Sequence, residues 1–106
     1  MKAHPRVSVA VALHNEEEVL PELLRRLRET IDTLPGGPHQ IVLVDDGSSD
    51  TTFDLVEAAA SSDGRIVGIM LSRNFGHQAA LSAALEATFG DVVIVMDGDL
   101  QDRPEE

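Results

Sequence analysis

The chain has 106 residues, 42% of them hydrophobic, and its 19 acidic against 8 basic residues give a formal charge of -11 at neutral pH. Such a balance argues against nucleic acid or an anionic lipid surface as a direct electrostatic partner, so phosphates are handled only with a cation or a few well-placed basic groups. The lack of cysteine excludes disulfides and thiolate metal sites and fits a reducing compartment.

In chain order, Arg6–Leu13 (RVSVAVAL) reads as a first strand, with no signal-peptide core before it. A first helix is expected from Pro21, a favoured first helical position, to about Thr33. Leu20, Leu23, Leu24, Leu27, Ile31 and Leu34 keep helical spacing, and Glu22–Arg26 and Arg25–Glu29 fall on the outer face. Pro35-Gly36-Gly37-Pro38 stops the helix. Gln40–Val44 reads as the second strand, and a second helix follows from about Thr51 to Ala60, capped by Ser48 or Ser49. Ile66–Leu71 is the third strand. The third helix, near His77–Thr88, carries small apolar residues on most faces (Ala79, Ala80, Ala83, Ala84, Ala87) and is expected to be well buried. Asp91–Met96 is the fourth strand, apolar and β-branched enough to read as buried in a parallel sheet. No apolar run approaches the roughly 18 residues that span a bilayer. The order βαβαβαβ predicts an α/β fold of three αβα layers, a mainly parallel sheet with helices on both faces.

Ligands of open α/β sheets bind at the carboxyl ends of the strands. All four strands here end in polar residues: His14-Asn15-Glu16-Glu17-Glu18, Asp45-Asp46-Gly47-Ser48-Ser49-Asp50, Ser72-Arg73-Asn74-Phe75-Gly76-His77, and Asp97-Gly98-Asp99-Leu100-Gln101-Asp102. The opposite rim offers little beyond Gly–Pro turns and Ser61-Ser62-Asp63-Gly64. The three carboxylates of the last group, crowded at a strand end, repel one another unless a cation sits among them, and hard oxygen ligands suit Mg²⁺ or Mn²⁺. A solvated acidic turn is the plain alternative for that run. Asn15 to Glu18 read alternatively as acids favoured at a helix start, and the Asp45 run as a turn with its cap. Two adjacent acids at a buried strand's end exceed what capping needs, which favours function for Asp45. Arg73 suits a base or phosphate contact. Fingerprints of dinucleotide folds, P-loops and nucleophile elbows are absent.

The segments VSVAVALHNEEEVLPELL, IVLVDDGSSDTT, LSRNFGHQAAL and VVIVMDGDLQDRPEE together resemble the nucleotide-binding half of family 2 glycosyltransferases. The nearest likeness is to the branch of dolichol-phosphate mannosyltransferase and the undecaprenyl-phosphate glycosyltransferases. The resemblance implies a Rossmann-like half of a GT-A fold, with residues 1–106 forming the N-terminal nucleotide-sugar-binding part of a longer domain. It implies an inverting transfer of sugar from a nucleotide diphosphate-sugar to a polyprenyl phosphate, assisted by Mg²⁺ or Mn²⁺. By likeness of position, Ala12, His14, Asn15 and Glu16 face the base and ribose, although the family more often has Pro and Tyr or Phe where Ala12 and His14 stand. Asp45 then reads the base edge with Asp46 beside it, and Arg73 closes over the nucleotide. Asp97 and Asp99 form the Asp-x-Asp pair, Asp97 also meeting the nucleotide, and Gln101 is a further metal ligand.

The resemblance also implies that the acceptor site, a further catalytic acid and membrane-attaching elements lie beyond Glu106. The expected location is therefore cytoplasmic, with the longer protein held at the inner membrane face, and the piece alone is expected not to turn over. An open sheet edge after the fourth strand is a candidate for homo-oligomer contact. A non-catalytic nucleotide-sugar-binding fragment is the alternative. A receiver-like phosphoacceptor would need a lysine at a further strand's end, and Lys2 is the chain's one lysine. A calcium loop starting at Asp97 would need glycine where Asp102 stands.

Overall fold

The computed structural model describes residues 4–97. Along the chain it forms β1 (Val7–Leu13), α1 (Leu20–Thr33), β2 (Gln40–Asp45), α2 (Thr52–Ser62), β3 (Ile66–Met70), α3 (His77–Glu86) and β4 (Val92–Asp97). All strand pairs are parallel and the sheet order is β3-β2-β1-β4. Every residue of β1 and β2 is buried, as their mostly apolar runs require of strands covered on both faces.

Alternation along the strands divides the core in two. Val7, Val9, Val11 and Leu13, with Ile41 and Leu43, pack against Leu20, Leu23, Leu24, Leu27 and Ile31 of α1 and Val56 and Ala59 of α2. On the other face Ala10, Ala12, Val42 and Val44 meet Ala80 and Ala84 of α3. Two helices lie on one face and one on the other, the three layers expected. The outer face of α1 carries the anticipated pairs, Arg26–Glu22 and Arg25–Glu29, each at 2.9 Å.

Several boundaries and two burial expectations need correction. α1 begins one residue earlier, at Leu20, so Pro21 holds its second position, and α3 stops at Glu86. Helix α3 buries Ala80 and Ala84, while Ala79 is exposed, because a single narrow stripe is enough to cover the alanine-lined centre of the sheet. β4 is not buried: Val92, Val93, Ile94 and Val95 are 36–47% exposed. Its composition is that of an interior strand, but the strand order puts it at an edge that no described helix covers. Among the described residues, β4 thus leaves an apolar edge open, as expected after the fourth strand.

The amino-terminal rim is also less plain than its turns suggest. The Ser8 hydroxyl donates to Gln40 Oε1 (2.6 Å) and accepts from Gly90 N–H (2.9 Å). Gln40 Nε2 donates to the Ala87 carbonyl (3.0 Å), and its Oε1 also accepts Phe89 N–H (3.1 Å). His39 Nδ1 accepts Val7 N–H (3.0 Å), which leaves Nε2 to donate to the Pro35 carbonyl (3.2 Å). These buried groups satisfy one another, as polar groups taken from water must, and fix the α3–β4 turn against β1 and β2. Arg6 closes the same end on Asp91, its N–H donating to Oδ2 at 2.9 Å.

This topology also sets where a site can form. From β1 the chain winds outward through β2 and β3 on one side, then crosses by α3 to β4 on the other. The winding therefore reverses between β1 and β4, and such a switch point is where open sheets leave a crevice at the carboxyl rim.

Candidate functional site

The rim is built by two loops laced together and a third docked on them. After β1, Asn15 turns the chain with φ 54°, a left-handed conformation that asparagine tolerates better than most residues. Its N–H donates to Ser48 Oγ (2.8 Å), and its Oδ1 accepts Ser49 N–H (2.9 Å). Glu16 N–H donates to Thr52 Oγ1 (2.8 Å), and Glu17 Oε1 accepts both Thr51 N–H (2.9 Å) and the Thr51 hydroxyl (2.6 Å). The first amides of α2 are thus served by Glu17 and by Asp50, whose Oδ1 accepts Thr52 N–H at 2.9 Å. Ser48 and Ser49, expected as the cap, face the β1 loop instead, and the N-cap position belongs to Thr51. Burial works against the charge on Asp50. Hydrogen bonds from the Thr52 hydroxyl and N–H and from Glu17 N–H outweigh it and hold the carboxyl below its ordinary range.

Asp45 ends β2 almost wholly buried, 1% exposed. Ser48 occupies both of its oxygens, the hydroxyl on Oδ1 and the N–H on Oδ2 at 3.1 Å. Each oxygen keeps a second acceptor site, but at this burial Ser48 closes over the carboxylate. Asp46 is buried as well, and its carboxylate accepts the N–H groups of Phe75 (2.9 Å) and Gly76 (3.1 Å) from the β3–α3 loop. On that loop Arg73 lies over the Phe75 ring, 4.7 Å from its centre, in a cation–π pair exposed at the rim. His14 reaches across from β1: Nδ1 donates to the Asp46 carbonyl (2.9 Å), and Nε2 faces the amides of Asn74 (3.3 Å) and Asn15 (3.4 Å).

The structure therefore brings His14, Asn15, Glu16, Asp45, Asp46 and Arg73 to one rim, with Ala12 buried in β1 just below it. The register pairs Ala12 with Asp97, so the backbone of Asp97 stands at the crevice beside the His14 loop. Of Asp97 the backbone alone is described, and Asp99 and Gln101 fall outside the described residues. Among the described residues no three His, Cys, Asp or Glu side chains gather as a metal site. Residues that sequence reasoning left without a role are Gly47, Thr52 and Phe75. The Asp-Gly pair at 46–47 was the available signal, since a Cβ on Gly47 (φ +67°) would lie 2.3 Å from Asn74 N.

Residues 8–106 match the family described as glycosyl transferase family 2, and the chain belongs to that family. It is 49% identical over 109 residues to an undecaprenyl-phosphate 4-deoxy-4-formamido-L-arabinose transferase of Pseudomonas paraeruginosa, an alignment covering 100% of this chain and 32% of that protein. The chain thus spans about a third of the length of such curated relatives. Among solved structures it superposes on the mannosyltransferase PcManGT of Pyrobaculum calidifontis, in complex with GDP-Man and Mn²⁺, with a TM-score of 0.81 and 28% identity over 92% of this chain and 28% of that one. TarS 1-349 of S. aureus in complex with UDP gives 0.77 and 29% over 89% and 27%. These neighbours are GT-A fold glycosyltransferases, and the three-layer sheet described above is of that type.

Proposed function

We propose that the chain is the donor-binding part of an inverting glycosyltransferase that moves a sugar from a nucleotide diphosphate-sugar to a polyprenyl phosphate. The observation that carries this reading is the meeting of the His14, Asp46 and Arg73 loops at the switch-point crevice, with the Asp97 backbone opposite Ala12, in a chain of this family. The acceptor class is supported by the undecaprenyl-phosphate transferase relatives, and the donor class and cation by the neighbours solved with UDP or with GDP-Man and Mn²⁺.

His14, Asn15 and Glu16 hold the base and ribose in this reading, Asp45 reads the base edge, and Arg73 closes on the nucleotide. Asp97, Asp99 and Gln101 would hold Mg²⁺ or Mn²⁺. The all-oxygen donor set suits such a hard ion, and the pairing of Asp97 with Ala12 supports the assignment of the first of the three. When bound, that ion offsets the charge of the departing diphosphate. The chain's own part is positioning: the laced loops hold the donor so that its anomeric carbon is open on the face away from the diphosphate. A phosphate acceptor is already ionised near neutral pH and asks little of a general base. The longer protein acts at the cytoplasmic face of the inner membrane; among the described residues no helix is long and apolar enough to cross a bilayer.

Calorimetric titration of the chain with UDP and with GDP, each with Mn²⁺ and with EDTA, tests the reading. Metal-dependent binding of one nucleotide is expected. A folded sample that binds neither nucleotide in Mn²⁺ overturns it.

A further inference from the structure

Resting on the donor-binding reading above, we propose that Ser8 and Gln40 are positioning residues for the metal side of the site. From the amino-terminal rim they fix the register in which β4 joins β1, and that register sets Asp97 opposite Ala12. The need for such a device follows from β4 itself. Its run Val92–Met96 is apolar throughout, and Val92, Val93, Ile94 and Val95 are all 36–47% exposed, so neither face of the strand is marked for burial. A strand without a preferred face is weakly held against slippage. Among the described strands β4 has β1 as its one neighbour, and Met96 is the residue of the run that packs on the larger core. One side chain is a poor guide to register.

The information missing from β4 is supplied where the chain enters it. Ser8 and Gln40 face each other across β1 and β2 and are 0% and 4% exposed. The Ser8 hydroxyl, donating to Gln40 Oε1, accepts Gly90 N–H, while Gln40 takes Phe89 N–H on Oε1 and the Ala87 carbonyl on Nε2. Two buried side chains thus grip the α3–β4 turn at residues 87, 89 and 90. Buried polar groups lose much when their partners move away, so each of these bonds opposes a shift of the turn. Shape enforces the same register. A Cβ on Gly90 would lie 2.7 Å from both N and Oγ of Ser8 and 3.0 Å from the Arg6 carbonyl oxygen. A slip of one place either way would bring Phe89 or Asp91 into that slot, and both carry a Cβ. The Arg6 carbonyl then accepts Asp91 N–H (2.8 Å) and Val92 N–H (3.1 Å), where the pairing with β1 begins. Ser8 is opposite Val93, and from there to Asp97 is about 13 Å of strand. Slipping by one residue would carry Asp97 about 3.3 Å along the sheet and turn its side chain to the other face. A hard cation holds its oxygen ligands at about 2 Å, so no ligand set survives such a move.

The test reads metal affinity and strand pairing together. Ser8→Ala, Gln40→Met and, as a control, Ile31→Ala in the last turn of α1 are titrated with Mn²⁺ at saturating UDP or GDP, whichever the unaltered chain binds. Ser8→Ala and Gln40→Met are each expected to weaken Mn²⁺ affinity about ten-fold and the control not at all, although all three lower the unfolding midpoint. Unchanged Mn²⁺ affinity in either rim variant, or an equal loss in Ile31→Ala, overturns the proposal, because the network would then serve stability alone. NMR contacts between the Ala12 and Asp97 backbones, measured without metal or nucleotide, give the second readout. They should weaken in both rim variants and persist in Ile31→Ala; contacts left intact in the rim variants overturn the proposal. Should a rim variant fail to fold, amide exchange in the unaltered chain decides. Phe89 and Gly90 N–H should be protected as well as the amides of β4, and exchange at the rate of an open loop overturns the proposal. A chain that binds neither nucleotide overturns the donor-binding reading, and the hold on register is then judged by the Ala12–Asp97 contacts alone.

Discussion

At the scale of single residues, His14 shows how neighbours determine a ring. Its Nδ1 must carry the proton given to the Asp46 carbonyl, so Nε2 is an acceptor for the amides of Asn15 and Asn74. Both amides are oriented independently, because their oxygens accept Ser49 N–H and Gly76 N–H. Asp63, away from the site, carries a charge with a measurable consequence. Hydrogen bonds from the Arg65 side chain and then its backbone lower its carboxyl to about 2, against a smaller opposing effect of burial. A carboxyl lowered on folding stabilises fully above its unfolded value, near pH 4, and that contribution is lost as pH falls toward 2. Urea unfolding of the chain and of Asp63→Asn should therefore differ most above about pH 4 and converge toward pH 2. Sequence alone could place Asp45, Asp46 and Arg73 at strand ends. It could not say that Ser48, three residues on in the same loop, turns back over Asp45, or that Asp46 reaches Phe75, 29 positions away on another loop.

At the scale of elements, pattern was a good guide to type and a poor one to surroundings. The leucine spacing of α1 marks the face that packs, and β1 and β2 are buried as their apolar runs indicate. β4 has the same kind of run and a different fate, because strand order decides burial and no local pattern encodes strand order. The difference should be large in energy. Ile41, fully buried in β2, should cost about 2–5 kcal/mol when cut to alanine. Ile94, 46% exposed in β4, should cost about 1 kcal/mol or less. Chemical denaturation of the two variants measures both; equal losses would mean that β4 is covered in solution. The Ser8–Gln40 network escaped notice for a related reason: each residue looks like an ordinary polar position in a strand, and its partners on the α3–β4 turn are far along the chain.

At the scale of the whole molecule, the charge of -11 and the gathering of carboxylates at one rim pose a single problem for any diphosphate ligand. On the proposed function, attraction comes from Arg73 and from a divalent cation, so stabilisation by ligand should vanish with the metal. Nucleotide at about 100 times its dissociation constant, with Mn²⁺, should add about 2.7 kcal/mol and raise the unfolding midpoint by roughly 10–20 °C. The same nucleotide with EDTA should leave the midpoint unmoved, as a thermal scan would show. The common rim was legible from the sequence because parallel strands must all end on one side, whatever their order. The strand order has one more effect, on how the protein is made. Central β1 finds its first neighbour in β2 soon after leaving the ribosome, but its second is β4, and the Arg6–Asp91 clasp that starts that pairing joins residues 85 positions apart. A chain that emerges from its N-terminus, and gains distant parallel pairings slowly, would carry β1 with one edge bare until β4 has emerged. The crevice beside His14 would then take shape only once β4 has paired with β1.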